Sequence, residues 1–120
     1  MKNTTYMYQL PYPPSVNSYW RSIPGKGVLI SKEGRAYRAS VIKAIGDSGL
    51  RLSGRLCVKI DAYMPDKRKR DIDNINKALL DSMTHALVWG DDEQIDDLQV
   101  VRRPVEKGGR VVVTIREITE

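Results

Sequence analysis

The stretch "DKRKRDIDNINK", residues 66–77, places four consecutive basic residues directly before two aspartates, Asp71 and Asp73, that are one residue apart. The basic residues are Lys67, Arg68, Lys69 and Arg70. Carboxylates are the protein ligands that Mg²⁺ uses, usually one or two of them together with waters and phosphate oxygens of a substrate. Basic side chains bind the phosphates of a polyanion. The combination therefore indicates metal-assisted hydrolysis of a phosphodiester.

The same two aspartates also have an ordinary structural interpretation. Asp73 could cap the helix that follows, and Asp71 could interact with the dipole of that helix. A calcium-binding loop is excluded, because its third oxygen ligand would fall on Ile75 and its glycine on Asn76. The pair by itself leaves the capping and metal-binding interpretations open.

A lysine and a second acidic cluster extend this pattern. Lys77 lies four residues after Asp73, one turn along the same helix face, so its ammonium could reach a phosphate bound at the helix start. An ion pair with Asp73 or Asp81 is the alternative. The cluster "DDEQIDD", residues 91–97, contains the adjacent acids Asp91 and Asp92, which are either cation ligands or part of a solvated turn.

The charge balance favours an anionic partner. Twenty Lys and Arg residues against fifteen Asp and Glu residues give a net charge of +5 and a pI near 9.4. A second basic group consists of Arg102, Arg103, Lys107 and Arg110. A protein that only coats nucleic acid gains little from clustered acids, because each acid repels phosphate.

Other enzyme classes have little support in the composition. The single histidine, His85, is interpreted as a surface or core residue, and no nucleophile elbow is present. Metal-assisted hydrolysis is therefore the best-supported enzyme class.

The length of 120 residues predicts one domain, residues 1–120. No apolar run approaches the roughly 18 residues of a membrane span, and the start lacks the apolar core of a signal peptide. We therefore expect no membrane partner. The single Cys57 fits a reducing compartment, which favours a cytoplasmic location.

The first half of the chain predicts a strand, a loop, a short strand and a helix. The strand covers residues 4–10, and the loop is "SVNSYWRSIPGKG", followed by the apolar run 28–30. Ser31 is a candidate N-cap for a helix that continues to about Ile45 and ends at "GDSG". In the loop, Tyr19 and Trp20 could stack on DNA bases or pack in the core.

The second half predicts a strand, a helix and a hairpin. Residues 55–64 alternate between apolar and polar, and residues 74–88 show helical spacing. The final segments, "LQVVRRPV" and "RVVVTIRE", predict a hairpin joined through "EKGG". The order predicts an α+β fold, with a small mixed β-sheet and two main helices.

The stretch "MPDKRKRDIDNINKALLDSMTHALVWGDDEQI" resembles the core of the RusA family of Holliday-junction resolvases, which are of phage and bacterial origin. "LPYPPSVNSYWR" resembles the family's proline-rich N-terminal motif, "ISKEGRAYR" its first helix start and "VEKGGRVVVTI" its last segment. The resemblance covers nearly the whole chain in order. It departs from the family at "SVNSYW", which only partly follows the family's polar loop.

This resemblance implies a RusA-like, homodimeric endonuclease that depends on Mg²⁺, with Mn²⁺ as a substitute. It would resolve four-way DNA junctions by paired symmetric nicks in recombination and repair. The positions that match the family's functional residues are Asp71, Asp73 and Asp92 as catalytic metal ligands, Asp91 as an acidic neighbour, Lys77 as the catalytic lysine, and Arg70 and Asn74 as flanking residues that contact DNA. The alternatives are a DNA-binding module without catalysis and a general nuclease for branched DNA.

The place of Asp92 follows from chain reach. A helix over residues 74–88 spans roughly 22 Å, whereas residues 89–92 return at most about 13 Å. The remaining gap of about 9 Å is too long for one cation with ligands at about 2.1 Å. Either the helix is shorter, or Asp92 serves the partner's site. We expect each site to combine Asp71 and Asp73 of one chain with Asp91 or Asp92 of the other.

Overall fold

The computed structural model describes residues 4–46 and 49–118 and consists of a four-stranded mixed sheet, a separate two-stranded hairpin and three α-helices. The strands are β1 (Thr5–Leu10), β2 (Trp20–Ile23), β3 (Gly27–Ile30), β4 (Leu56–Tyr63), β5 (Ile95–Arg103) and β6 (Arg110–Glu117). The helices are α1 (Val16–Tyr19), α2 (Lys32–Ile45) and α3 (Asn76–His85), with 3₁₀ turns at Ile72–Ile75 and Asp92–Gln94. The predicted α+β class, mixed sheet and two main helices are confirmed.

The centre of the sheet is β4, whose predicted alternation is confirmed. Leu56, Val58, Ile60 and Ala62 are all buried, whereas the residues between them lie on the less buried face. The strand pairs in parallel with β5 and antiparallel with β6. The apolar face of β4 therefore lies at the middle of the core, and both of its edges are occupied.

The predicted C-terminal hairpin is wrong, because β4 lies between β5 and β6 in the order β1-β6-β4-β5. The connection crosses the end of β4, where the Glu106 amide donates to the Met64 carbonyl at 2.9 Å. Gly108 and Gly109 have the positive φ angles expected of a turn, 84° and 69°. The local sequence predicts the turn correctly. It gives no sign that β4, a strand from earlier in the chain, lies between the two segments.

The predicted loop of residues 15–27 is also wrong in part, because it contains α1 and β2. Ser15 caps α1, and β2 pairs antiparallel with β3 from Trp20↔Ile30 to Ile23↔Gly27. The short strand predicted at 28–30 is confirmed as β3. Neither element is long enough to show a periodicity of its own.

The helix predicted from Ser31 is confirmed as α2. The Ser31 hydroxyl accepts from the Gly34 amide at 2.9 Å, and Tyr37, Val41 and Ile45 are buried. Gly46 caps its end, and the remaining part of "GDSG" at 47–48 lies outside the described residues. No helix among the described residues is long and apolar enough to cross a membrane.

Helix α3 is shorter than the apolar pattern predicts, ten residues that end at His85. Leu87 has a positive φ of 66° and reverses the chain, so its side chain is exposed rather than part of the predicted apolar stripe. Val88 and Trp89 are buried because the chain turns back into the core, where Trp89 bridges to Leu52.

Gly34 gives a test of this packing. A Cβ at this position would lie 2.5 Å from the Tyr19 carbonyl oxygen and 2.9 Å from Ile30. Helix propensity alone predicts that Gly34→Ala stabilises the protein by up to about 1 kcal/mol. We expect the opposite, a loss of about 1–3 kcal/mol from overpacking.

Urea unfolding measures the difference, with Ala39→Gly at an exposed position of the same helix as the control for propensity. A Gly34→Ala protein as stable as the wild type would show that the contact with Tyr19 does not constrain the fold.

Candidate active site

Asp71 and Asp73 lie in the segment that leads from β4 to α3. Asp71 precedes the first 3₁₀ turn without a side-chain capping bond, and Asp73 lies within that turn. Helix α3 begins only after Ile75, so the structure does not support the capping interpretation of Asp73. Both residues are exposed, and neither carboxylate forms a hydrogen bond or ion pair with residues 4–46 or 49–118. Their oxygens are therefore available to a ligand.

Lys77 lies in the first turn of α3 and is exposed. The predicted alternative, an ion pair with Asp73 or Asp81, does not form within the described part of the chain. Its Nζ lies 6.0 Å from the centroid of the Trp20 ring. Burial raises the pKa of Asp92, and the positive charge of Lys77 partly opposes that rise.

Asp91 and Asp92 have different environments. The Asp91 carboxylate accepts from the Glu93 amide at 3.0 Å in a capping box with Gln94. Asp92 is partly buried, which is the largest cause of its raised pKa, and Asp91 contributes further to that rise. Asp91 thus shapes the turn, whereas Asp92 is a desolvated acid beside a like charge. Such a carboxylate is stabilised by a nearby cation.

The short helix changes the reach argument for Asp92. Because α3 ends at His85 and the chain reverses at Leu87, the return path to the start of α3 is shorter than the pattern predicts. The premise that led to a contribution from the partner chain is therefore wrong. The turn that contains Asp92 contacts α3 of the same chain, which favours a site within one chain.

The acids do not form a compact metal cage. No group of three or more His, Cys, Asp or Glu side chains within residues 4–46 and 49–118 is placed to hold a metal ion. The candidate ligands are instead two pairs, Asp71 with Asp73 and Asp91 with Asp92. The donor set consists of oxygens alone, which suits Mg²⁺, a cation that keeps several waters and takes few carboxylates.

The basic run is organised by the acid at its start, Asp66. Its carboxylate pairs with Arg70 and Arg68, and it accepts from the Arg68 amide at 2.9 Å. The Arg70 contact is the main reason that the pKa of Asp66 lies well below its usual range. Lys67 and Lys69 are exposed and have no ion pair among the described residues. The run thus presents two free ammonium groups on an internally paired loop.

The second basic group is mostly engaged within the chain. Arg102 donates to the Arg70 carbonyl at 2.6 Å, and Arg103 pairs with Asp61 at 2.7 Å. Arg110 pairs with Glu106 and lies over the Tyr63 ring. Lys107 is exposed and has no ion pair in the described part of the chain. Within the described part of the chain, Arg103 and Arg110 have acidic partners, Arg102 contacts only a backbone carbonyl, and Lys107 has neither kind of contact.

A cleft of about 400 Å³ lies beside Asp71. Its lining includes Arg68, Arg70 and Asn74, together with the proline-rich segment that contains Pro13. The structure therefore brings the predicted flanking residues Arg70 and Asn74 to the same surface as Asp71.

The sequence analysis did not identify the polar contacts of Asp81, which lies one turn after Lys77. The Asp81 carboxylate accepts a short hydrogen bond from the Tyr19 hydroxyl and pairs with Arg38 at 2.8 Å. His85 lies 4.0 Å from Asp81 and is about half exposed, in agreement with a surface role. No sequence signal identifies these contacts, because Tyr19, Arg38 and Asp81 are far apart along the chain.

The adjacent aromatic residues Tyr19 and Trp20 differ in exposure. Tyr19 is fully buried, so of its two predicted roles the structure supports core packing. Trp20 is half-buried and faces Lys77.

Comparison with known proteins identifies the family. The family model described as "Endodeoxyribonuclease RusA" matches residues 11–116. A crossover junction endodeoxyribonuclease RusA of Shigella sonnei (strain Ss046) is 46% identical over 95% of this chain and 96% of that protein. Proteins of the same name from Escherichia coli (strain K12) and Enterobacteria phage 82 are 45% and 47% identical, with the same coverage. The chain therefore belongs to the RusA family of endodeoxyribonucleases.

Proposed function

We propose that this protein resolves four-way DNA junctions by paired symmetric nicks, as a Mg²⁺-dependent endonuclease. The observation that carries the proposal is that Asp71 and Asp73, just before α3 and Lys77, are exposed and have no side-chain partner among the described residues, in a chain of the RusA family. In a protein that only binds DNA, these two carboxylates would weaken the binding, because they repel phosphate. In a nuclease they are useful, because a bound cation can join them to the phosphate.

In this proposal Asp71 and Asp73 from the first pair and Asp92 from the second would supply the metal ligands, and metal binding would draw together acids that form no cage among the described residues. Asp91 fixes the turn that presents Asp92. Bound Mg²⁺ supplies an activated water and neutralises charge on the phosphate; Mn²⁺ accepts the same oxygen ligands. Lys77 places its ammonium on a nonbridging oxygen of the scissile phosphate, where a point charge stabilises the developing negative charge.

The DNA-binding charge comes chiefly from Lys67, Lys69 and Lys107, which have no internal partner among the described residues. Arg68 and Arg70 are held by Asp66, so they shape the loop and line the cleft beside Asp71. Arg102 supports the same loop through the Arg70 carbonyl. Contacts of this kind bind phosphates and position the junction without reading its sequence.

Paired cutting implies that the protein acts as a homodimer, because one chain offers one set of acids. A two-fold axis also matches the symmetry of a four-way substrate. We further propose that the whole chain acts as a single domain in the cytoplasm, where its DNA substrate is found.

The metal assignment is tested with Asp73→Asn. A metal ion stabilises the charge of the transition state by several kcal/mol. We therefore expect the rate of junction cutting to fall by roughly a thousandfold when its ligand is lost. Binding in EDTA should be equal or tighter, because a carboxylate that repels phosphate is removed. Asp97→Asn, an exposed acid outside the site, is the matched control and should cut normally.

A labelled four-way junction measures both effects, by nicking in Mg²⁺ and by gel shift in EDTA. Wild-type binding without any nicks in Mg²⁺ or Mn²⁺ would favour a DNA-binding module. Equal cutting of forks, linear duplex and junctions would favour a general nuclease for branched DNA.

The basic loop is tested with Lys67→Ala and Lys69→Ala together. Each lost phosphate contact lowers the log-log salt slope by roughly 0.9, so the double variant should lose about 1.8 from that slope. Arg70 is a poorer probe, because its removal also breaks the contact with Asp66.

Titration of junction binding against salt gives the slope. The control is Lys32→Ala with Lys43→Ala, which removes the same charge from the exposed face of α2. Equal slopes for the two double variants would mean that Lys67 and Lys69 do not contact phosphate.

A mixing experiment tests whether one chain supplies all three acids. A heterodimer of Asp73→Asn and Asp92→Asn chains should not nick the junction, because each site lacks one acid. The positive control pairs a wild-type chain with a chain that carries both substitutions, and it should nick one strand. Nicking by the first heterodimer would show instead that Asp92 acts in the partner's site.

A further inference from the structure

The side chain beside Lys77 is an aromatic ring. Trp20 begins β2, is half-buried, and has its ring centroid 6.0 Å from Lys77 Nζ. A cation at this distance from the face of an indole is attracted to it. Lysine has a flexible stem, so the place of its ammonium depends on such contacts. No ion pair with the described residues performs this task.

The position of Trp20 is fixed through its neighbour Tyr19. The Tyr19 carbonyl accepts from the Ser31 amide at 2.9 Å and from the Ser31 hydroxyl at 3.1 Å. Gly34 packs so closely on that carbonyl that no Cβ fits. The Tyr19 ring contacts Trp20 edge to face, with centroids 5.0 Å apart. Trp20 therefore follows a residue that the start of α2 holds in place.

The Tyr19 hydroxyl closes the connection back to α3. It donates to Asp81, which also accepts from Arg38 at 2.8 Å and lies four residues after Lys77 on the same helix. Helix α3 thus carries both the lysine and the carboxylate that anchors the aromatic pair. A purely structural role would explain the buried Tyr19 and Asp81. It gives no reason for a half-buried Trp20 that faces an exposed ammonium.

We propose that Trp20 is a positioning residue for Lys77, and that Asp81 sets the position of Trp20 through Tyr19. The ring restricts the lysine stem, so that its ammonium stays in position for the scissile phosphate. This inference rests on the proposed catalytic role of Lys77. Trp20 acts through the lysine and not through a stacked DNA base, and the two roles have different experimental consequences.

The experiment is a double-mutant cycle on Trp20→Leu and Lys77→Ala. Cutting is measured in single turnover, with the enzyme in saturating excess over the junction and with saturating Mg²⁺, and binding is measured in EDTA. We expect Trp20→Leu to slow cutting by about three- to tenfold, the size of a partly desolvated cation–π contact, with binding unchanged. In the Lys77→Ala background, Trp20→Leu should have no further effect.

Two conservative variants separate this role from loss of folding. Trp20→Tyr keeps a ring and should restore most of the rate. Tyr19→Phe removes only the hydroxyl that reaches Asp81, so it should slow cutting in the wild-type background but not in the Lys77→Ala background. Tyr6→Leu, a half-buried aromatic on β1, is the matched control and should cut normally.

The possible failures are distinguishable. If Lys77→Ala cuts at the wild-type rate, the proposed role of the lysine is wrong, and the inference about Trp20 is overturned with it. If Lys77→Ala is impaired but Trp20→Leu slows it further by the same factor, the lysine role stands and positioning through it is overturned. Weaker junction binding by Trp20→Leu in both backgrounds would assign the ring to a DNA base.

Discussion

The burial of β4, with both of its edges paired, is the constraint on which the rest of the structure depends. Its apolar side chains face the helices, and its pairing with β5 and β6 satisfies the backbone groups of a strand at the centre of the core. Because β5 is parallel to β4, the chain between them must return across the sheet, and α3 does so. The candidate acids lie at the two ends of that return path.

The charged residues of the candidate site form two groups, those with a partner among the described residues and those without one. Most arginines of the two basic groups are held by acids or carbonyls, as in the Asp66 contacts with Arg68 and Arg70. Asp71, Asp73 and Lys77 have no ion pair among the described residues. Paired arginines stiffen the loop that precedes the acids, whereas the unpaired groups remain available to metal and phosphate. Rigid support beside exposed ligands is what a hydrolytic site needs.

Much of the fold and of the site could be predicted from local sequence. The alternation in β4 and the capped start of α2 depend on neighbouring residues, so both predictions are confirmed. The Asp71–Asp73 pair, Lys77 and the order of motifs were sufficient to identify the RusA family. These signals act over a few residues, because side-chain periodicity and turn chemistry are local properties of the backbone.

Only the tertiary structure decided the remaining features, because they depend on contacts between distant residues. The insertion of β4 between β5 and β6 is invisible to a pattern that shows two strands and a glycine turn. Helix α3 ends at His85, because the chain reverses at Leu87 and this reversal buries Val88 and Trp89 in the core. The same reversal returns the turn that contains Asp92 to α3. Charge counts predict neither the pairing of Asp66 with the arginines nor the contacts of Asp81. The fold alone determines which acid lies beside which base.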